Sequence, residues 1–132
     1  MRFMLDTNII SDMIRNPAGK AANAVEREGD DAICTSIVVA SELRYGGARK
    51  GSAKLLKKVE QLLAEIPVLP LDVPADAEYG ALRAELEAAG QHIGHNDLFI
   101  AAHACAMGIT LVTANTGEFI RIRNLKIENW LE

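Results

Sequence analysis

The strongest constraint on the fold is an alternation. Short apolar runs at residues 2–5, 31–35, 67–71, 109–113 and 125–130 separate stretches of helical character. Runs this short read as strands, and strands that alternate with helices pair in parallel, with helices on both faces of the sheet. The stretches between them carry start and stop signals. A helix is expected from about Ile9, with Asp6, Thr7 and Asn8 supplying capping and turn side chains. Ser36 can cap a second helix through Glu42 and Leu43, which Gly46 and Gly47 would end. Residues 52–66 are the clearest amphipathic segment, with Leu55, Val59, Leu62, Leu63 and Ile66 at helical spacing and Lys54, Lys57, Lys58 and Gln61 on the other face. Residues 75–89 are helical by propensity up to Gly90. Asn96 can cap a helix over 97–107 that Gly108 ends; it is apolar on nearly every side and is expected against the sheet. The expectation is an α/β fold, a central parallel sheet of four to five short strands flanked by helices, in a single domain over 1–132.

Composition narrows the function classes. An apolar fraction of 49% is too high for disorder, and 5% aromatics leaves the core to Leu, Ile, Val and Ala. The opening MRFMLDTNII is broken by Asp6 and is not a signal peptide, and no apolar run approaches a membrane span. Cys34 and Cys105 lie far apart without metal-ligand spacing, which fits reduced thiols in a cytoplasmic protein. A net charge of −4 argues mildly against nucleic-acid binding. Its distribution argues the other way, because residues 43–59 hold Arg44, Arg49, Lys50, Lys54, Lys57 and Lys58 and no acid. That stretch can track a phosphate backbone or form a solvated helix face.

Three carboxylates stand out, and each has a plain structural reading beside a functional one. Asp6 directly follows a buried strand, where it can cap the next helix or sit at a site. Glu42 lies late in a helix among Val38, Val39, Leu43 and Tyr45, which look buried; it can equally belong to a solvated face. Asp97 opens the most apolar helix, where the positive end of the helix dipole favours an anion. In parallel α/β sheets ligands bind beyond the carboxyl ends of the strands, where Asp6 and Thr113 both fall.

The segments MLDTNII, SIVVASELRYG, GHNDLFIAAHA and LVTANTGEF, in that order, resemble the PIN-domain ribonucleases, and within them the VapC toxins of toxin–antitoxin pairs. The similarity runs the full length, through the closing IENW. It implies a PIN-like three-layer fold in which Asp6, Glu42 and Asp97 are catalytic and converge on Mg²⁺, or Mn²⁺. Physics supports the carry-over: two carboxylates about 5 Å apart repel by roughly 3 kcal/mol at an effective dielectric near 20. Three together raise one another's pKa unless a cation neutralises them, and hard cations prefer oxygen donors. One departure is visible. Many PIN domains carry a fourth acid where this chain has Asn115; Glu118 can supply that charge, or Asn115 can contact the metal through its amide oxygen or a water. Asn8 and Thr113 are expected to orient the ligands.

The resemblance further implies hydrolysis of RNA phosphodiesters to a 5′-phosphate and a 3′-hydroxyl. Initiator tRNA, cut in the anticodon stem-loop, is the leading substrate. Arg44, Arg49, Lys50 and Lys54 are the candidate RNA contacts. A VapB-type antitoxin and a homodimer are the implied partners, with an antitoxin arginine able to reach the three acids. Other readings stay open: a degenerate PIN binding module, a DNA-directed metal nuclease, or phosphotransfer on Asp6, which the lack of a DxD and of a lysine on a late strand end disfavours. His92 and His95 form an HxxH pair beside Asp97 that flanking glycines make a loop rather than a zinc site. His103, Cys105 and Trp130 are expected in the core.

Overall fold

The computed structural model describes residues 1–132. The chain runs β1 (Phe3–Leu5), α1 (Thr7–Arg15), α2 (Lys20–Glu28), a 3-10 turn (Asp30–Ala32), β2 (Ile33–Ser36), α3 (Ile37–Lys50) and α4 (Ala53–Glu65). It continues through β3 (Val68–Leu69), α5 (Ala75–Ala88), α6 (His95–Met107), β4 (Thr110–Val112), α7 (Thr116–Phe119) and β5 (Ile127–Glu128). The five strands are all parallel, in the order β3-β2-β1-β4-β5. Right-handed crossovers then put α1–α4 over one face and α5–α7 over the other. The packing agrees: α1 touches α2, α3 and α4, while α5 lies along α6.

Register is what builds the site. Leu5 pairs with Thr35 on one side and Val112 on the other. The next residue of each strand's path, Asp6, Ser36 and Thr113, therefore emerges level on one edge. The chain also leaves β1 toward β2 on one side and returns at β4 on the other, so β1 marks the topological switch point, where a crevice opens.

The core is aliphatic. Phe3, Met4 and Leu5 of β1 are all buried, and Ile100, Ala101, Ala102 and Ala104 of α6 are inaccessible to solvent. Trp130 is buried edge-on against Phe3, with ring centroids 5.0 Å apart, so it packs the core. His103 is buried and its Nδ1 lies 2.8 Å from Ser36 Oγ. Cys105 is only half-buried at the core margin, and both cysteines are free.

Several expectations are corrected. Gly46 and Gly47 do not end α3; the helix continues to Lys50 and stops at Gly51, which adopts the left-handed conformation. A glycine inside a helix costs about 1 kcal/mol against alanine, and at position 47 packing explains it. A Cβ there would lie 2.7 Å from Leu56 Cδ2, so Gly47 lets α4 approach α3. Asn96 is not a cap, because α6 begins at His95 behind Gly94. Tyr45 is exposed rather than buried. α2 has no counterpart among the expected elements: the residues it buries, alanines 21 and 24, are small. The strands expected at 67–71 and 125–130 shrink to two residues each at the sheet edges.

Candidate active site

Asp6 ends β1 and caps α1, accepting from Thr7 N at 2.8 Å through Oδ1. Its other oxygen, Oδ2, accepts from Thr113 Oγ1 at 2.8 Å and from Asn8 Nδ2 at 3.4 Å. Asn8 Oδ1 in turn accepts from Ala114 N at 3.0 Å, and Thr113 Oγ1 accepts from Asn115 N at 3.0 Å. Asn8 and Thr113 thus tie the end of β1 to the loop after β4 and fix the Asp6 carboxylate between them.

Glu42 reaches the same place from α3. The cap of that helix is Ser36, whose Oγ accepts from Val38 N at 3.1 Å. Glu42 Oε1 accepts from Thr7 Oγ1 at 2.5 Å and its Oε2 from Asn96 Nδ2 at 3.4 Å. Asp97 lies in the first turn of α6, where helix dipole and orphan amides favour an anion. Glu118, from α7, accepts from Asn115 Nδ2 at 2.8 Å and from Gly94 N at 3.4 Å. Asn115 therefore spends its amide donor on Glu118, and its amide oxygen is left for another partner.

The electrostatics show that these four acids face one another. Burial pushes the Asp6 carboxyl above its ordinary value despite the bonds from Thr113 and Thr7, and the charges of Glu42 and Glu118 push it further. Asp97 is driven up to about 7, first by burial and then by Asp6, Glu118 and Glu42. No arginine or lysine pairs with any of the four. Four acids on the crevice without a compensating cation bind protons or a divalent metal. All the available donors are hard oxygens, the set that Mg²⁺ and Mn²⁺ prefer. As they stand, no three acid, histidine or cysteine side chains close on a single point. Thr7 and Asn96 hold Glu42, and Asn115 holds Glu118; a cation retaining several waters needs few direct carboxylate ligands.

Residues 3–125 match the PIN domain family. Over 98% of both chains the protein is 39% identical to ribonuclease VapC2 of Rickettsia felis and 38% identical to the tRNA(fMet)-specific endonuclease VapC of Shigella flexneri. Among solved structures, the VapBC2 complex of Rickettsia felis bound to a promoter DNA fragment superposes with a TM-score of 0.91. That match is at 38% identity, covering 98% of this chain and 99% of that one. The chain belongs to the PIN-domain family, in its VapC group.

The basic stretch divides within this PIN domain. Arg44 is held by Glu60 through two bonds, 2.8 Å from Nε and 2.9 Å from Nη2. Arg49, Lys50 and Lys54 are exposed with no carboxylate within 4.0 Å. His92 and His95 are exposed and line a shallow depression with Arg83 and Glu87. Sequence reasoning missed Thr7 and Asn96, the two donors that hold Glu42. No local signal marks Thr7 for this role, and in the sequence Asn96 reads as a cap.

Proposed function

We propose that this chain is a Mg²⁺-dependent endoribonuclease, the toxin of a VapBC-type toxin–antitoxin pair. The observation that carries the reading is the set of four uncompensated acids at the switch point of the sheet, with Asp97 raised to about 7 by burial and then by the others. Asp6, Glu42 and Asp97 would hold the cation, Mg²⁺ or Mn²⁺, with Glu118 or the Asn115 amide oxygen completing the set. When bound there, the cation supplies a nucleophile at neutral pH and neutralises charge developing on the phosphate. Thr113 and Asn8 hold the Asp6 carboxylate in one orientation; Thr7 and Asn96 do the same for Glu42. Burial and the neighbouring acids hold the Asp97 carboxyl up at about 7, so a cation held there would compete with a proton. The ribose 2′-hydroxyl takes no part, so the products carry a 5′-phosphate and a 3′-hydroxyl.

Initiator tRNA is the substrate we favour, because a relative 38% identical over 98% of both chains is a tRNA(fMet)-specific endonuclease. Arg49, Lys50 and Lys54 are the available backbone contacts. A VapB-type antitoxin would silence the site by setting a basic side chain among the acids. The free toxin would pair as a homodimer in the cytoplasm; no helix here is long and apolar enough to cross a membrane. Matched RNA and DNA oligonucleotides, incubated with Mg²⁺ or with EDTA, test the chemistry: RNA alone should be cut, and only with metal. Equal cutting of DNA would make this a general nuclease. Sequencing the new 5′ ends after induction in cells tests the substrate, and cuts scattered over messenger RNA would exclude initiator tRNA.

A further inference from the structure

Two adjacent glycines lie inside α3, and the fold accounts for only one of them. Gly47 admits Leu56 of α4, but a Cβ on Gly46 would meet nothing within 4 Å. A helix interior favours alanine over glycine, and at Gly46 the missing side chain leaves that side of α3 open. That space is a cleft of about 230 Å³ between α1, α3 and α4. Thr7 and Glu42 line it, so it reaches the site at the Glu42 carboxylate. Buried Val59 lies at its floor, and exposed Arg15 and Lys50 stand at its mouth. Neither of these two cations has a carboxylate within 4.0 Å.

The cleft is smaller than the roughly 300–1,000 Å³ of a pocket for a whole small ligand. It fits one inserted group. An apolar floor suits the face of a base, and two free cations at the mouth suit the phosphates on either side of it. We propose that this cleft is a subsite for a single splayed nucleobase of the RNA, one step along the strand from the scissile phosphate. Gly46 keeps it open, and Arg15 and Lys50 hold the flanking phosphates. Unstacked bases are what sequence-selective RNA proteins take hold of, so the cleft contributes to the choice of cut site. The proposal rests on the ribonuclease reading above.

The test walks a single abasic ribose through the positions flanking the cut in an otherwise intact RNA. It compares kcat/KM for wild type and for Gly46→Leu, whose side chain would fill the cleft. In wild type, one abasic position should lower kcat/KM by about tenfold. Gly46→Leu should lose a similar factor on intact RNA, through KM, and be indifferent to the missing base at that position. Lys50→Ala and Arg15→Ala, both at exposed positions, serve if Gly46→Leu does not fold. Each should raise KM several-fold and flatten the salt dependence. If both proteins cut RNA and no abasic position distinguishes them, the subsite is refuted. If Gly46→Leu cuts normally but no longer binds a VapB-type protein, the cleft belongs to a protein partner and the proposal is overturned. If wild type cuts no RNA at all, the ribonuclease reading fails and the subsite falls with it.

Discussion

Replacing Asp97 with asparagine should make the metal-free protein more stable, and only above mildly acid pH. The Asp97 carboxyl titrates at about 7 in the folded chain against an ordinary 3.8. Below the lower value it is neutral in both folded and unfolded states, and no penalty arises. Between the two values the folded chain keeps a proton that the unfolded chain has lost. Stability therefore falls as pH rises through that window, and levels off above about 7. The gap sets a ceiling of about 4 kcal/mol. Asp97 is only half-buried and water screens its neighbours, which brings the expected penalty nearer about 2 kcal/mol. Asparagine keeps the shape and removes the charge. In EDTA at about pH 8, Asp97→Asn should therefore gain about 2 kcal/mol in urea unfolding, or roughly 6–10 °C in Tm. At about pH 3, below both values, the two proteins should unfold with little difference, since the wild-type carboxyl is then mostly neutral folded and unfolded. Added Mg²⁺ should stabilise the wild type far more than the variant. If Asp97→Asn is no more stable than wild type at about pH 8 without metal, burial and the neighbouring acids do not hold the Asp97 carboxyl above its ordinary value, and the electrostatic picture of the crevice is wrong.

Other consequences can be checked on the same protein. Ser36→Ala removes the cap on Val38 N and the partner of His103 Nδ1, leaving a buried imidazole whose Nε2 already lacks a partner. It should cost about 2–3 kcal/mol in urea unfolding, and a loss under about 0.5 kcal/mol would contradict that role. Thr113→Val deletes the hydroxyl that donates to Asp6 and should lower RNA cleavage about 10–100-fold while circular dichroism shows a folded protein. Gly46→Ala should match or exceed wild-type stability, by up to about 1 kcal/mol. Gly47→Ala should be the less stable of the pair, because its methyl meets Leu56; the reverse order in thermal unfolding would invalidate the packing account.

Sequence pattern made the sheet legible where burial is complete. β1 and β4 are central and buried, and their apolar runs mark them; β3 and β5 are two-residue edges whose flanks look equally apolar. Helix ends were legible where a side chain does the capping, as at Asp6 and Ser36. They were not where tertiary packing overrides the local signal. Gly46 and Gly47 read as a stop, yet α4 lies against Gly47 and the helix continues. Asn96 reads as a cap, yet its amide reaches across to Glu42. Likewise, α2 buries alanines 21 and 24 rather than large aliphatic side chains, so no bulky apolar spacing marks it. The acids were individually ambiguous in sequence, because capping and ligation use the same residue types at the same strand ends. Asp6 caps α1 and also faces the crevice, and only the level register of β1, β2 and β4 shows that it meets Thr113 rather than solvent.

If Asp6, Glu42 and Asp97 hold a divalent metal for RNA cleavage, as proposed, the decisive experiment incubates end-labelled RNA with wild type or Asp6→Asn in Mg²⁺ or EDTA. Wild type should cut with Mg²⁺ alone, leaving a 5′-phosphate and a 3′-hydroxyl, and a folded Asp6→Asn should give only background cutting. Cleavage by Asp6→Asn at the wild-type rate, or undiminished wild-type cleavage in EDTA, would rule out a metal held by these acids.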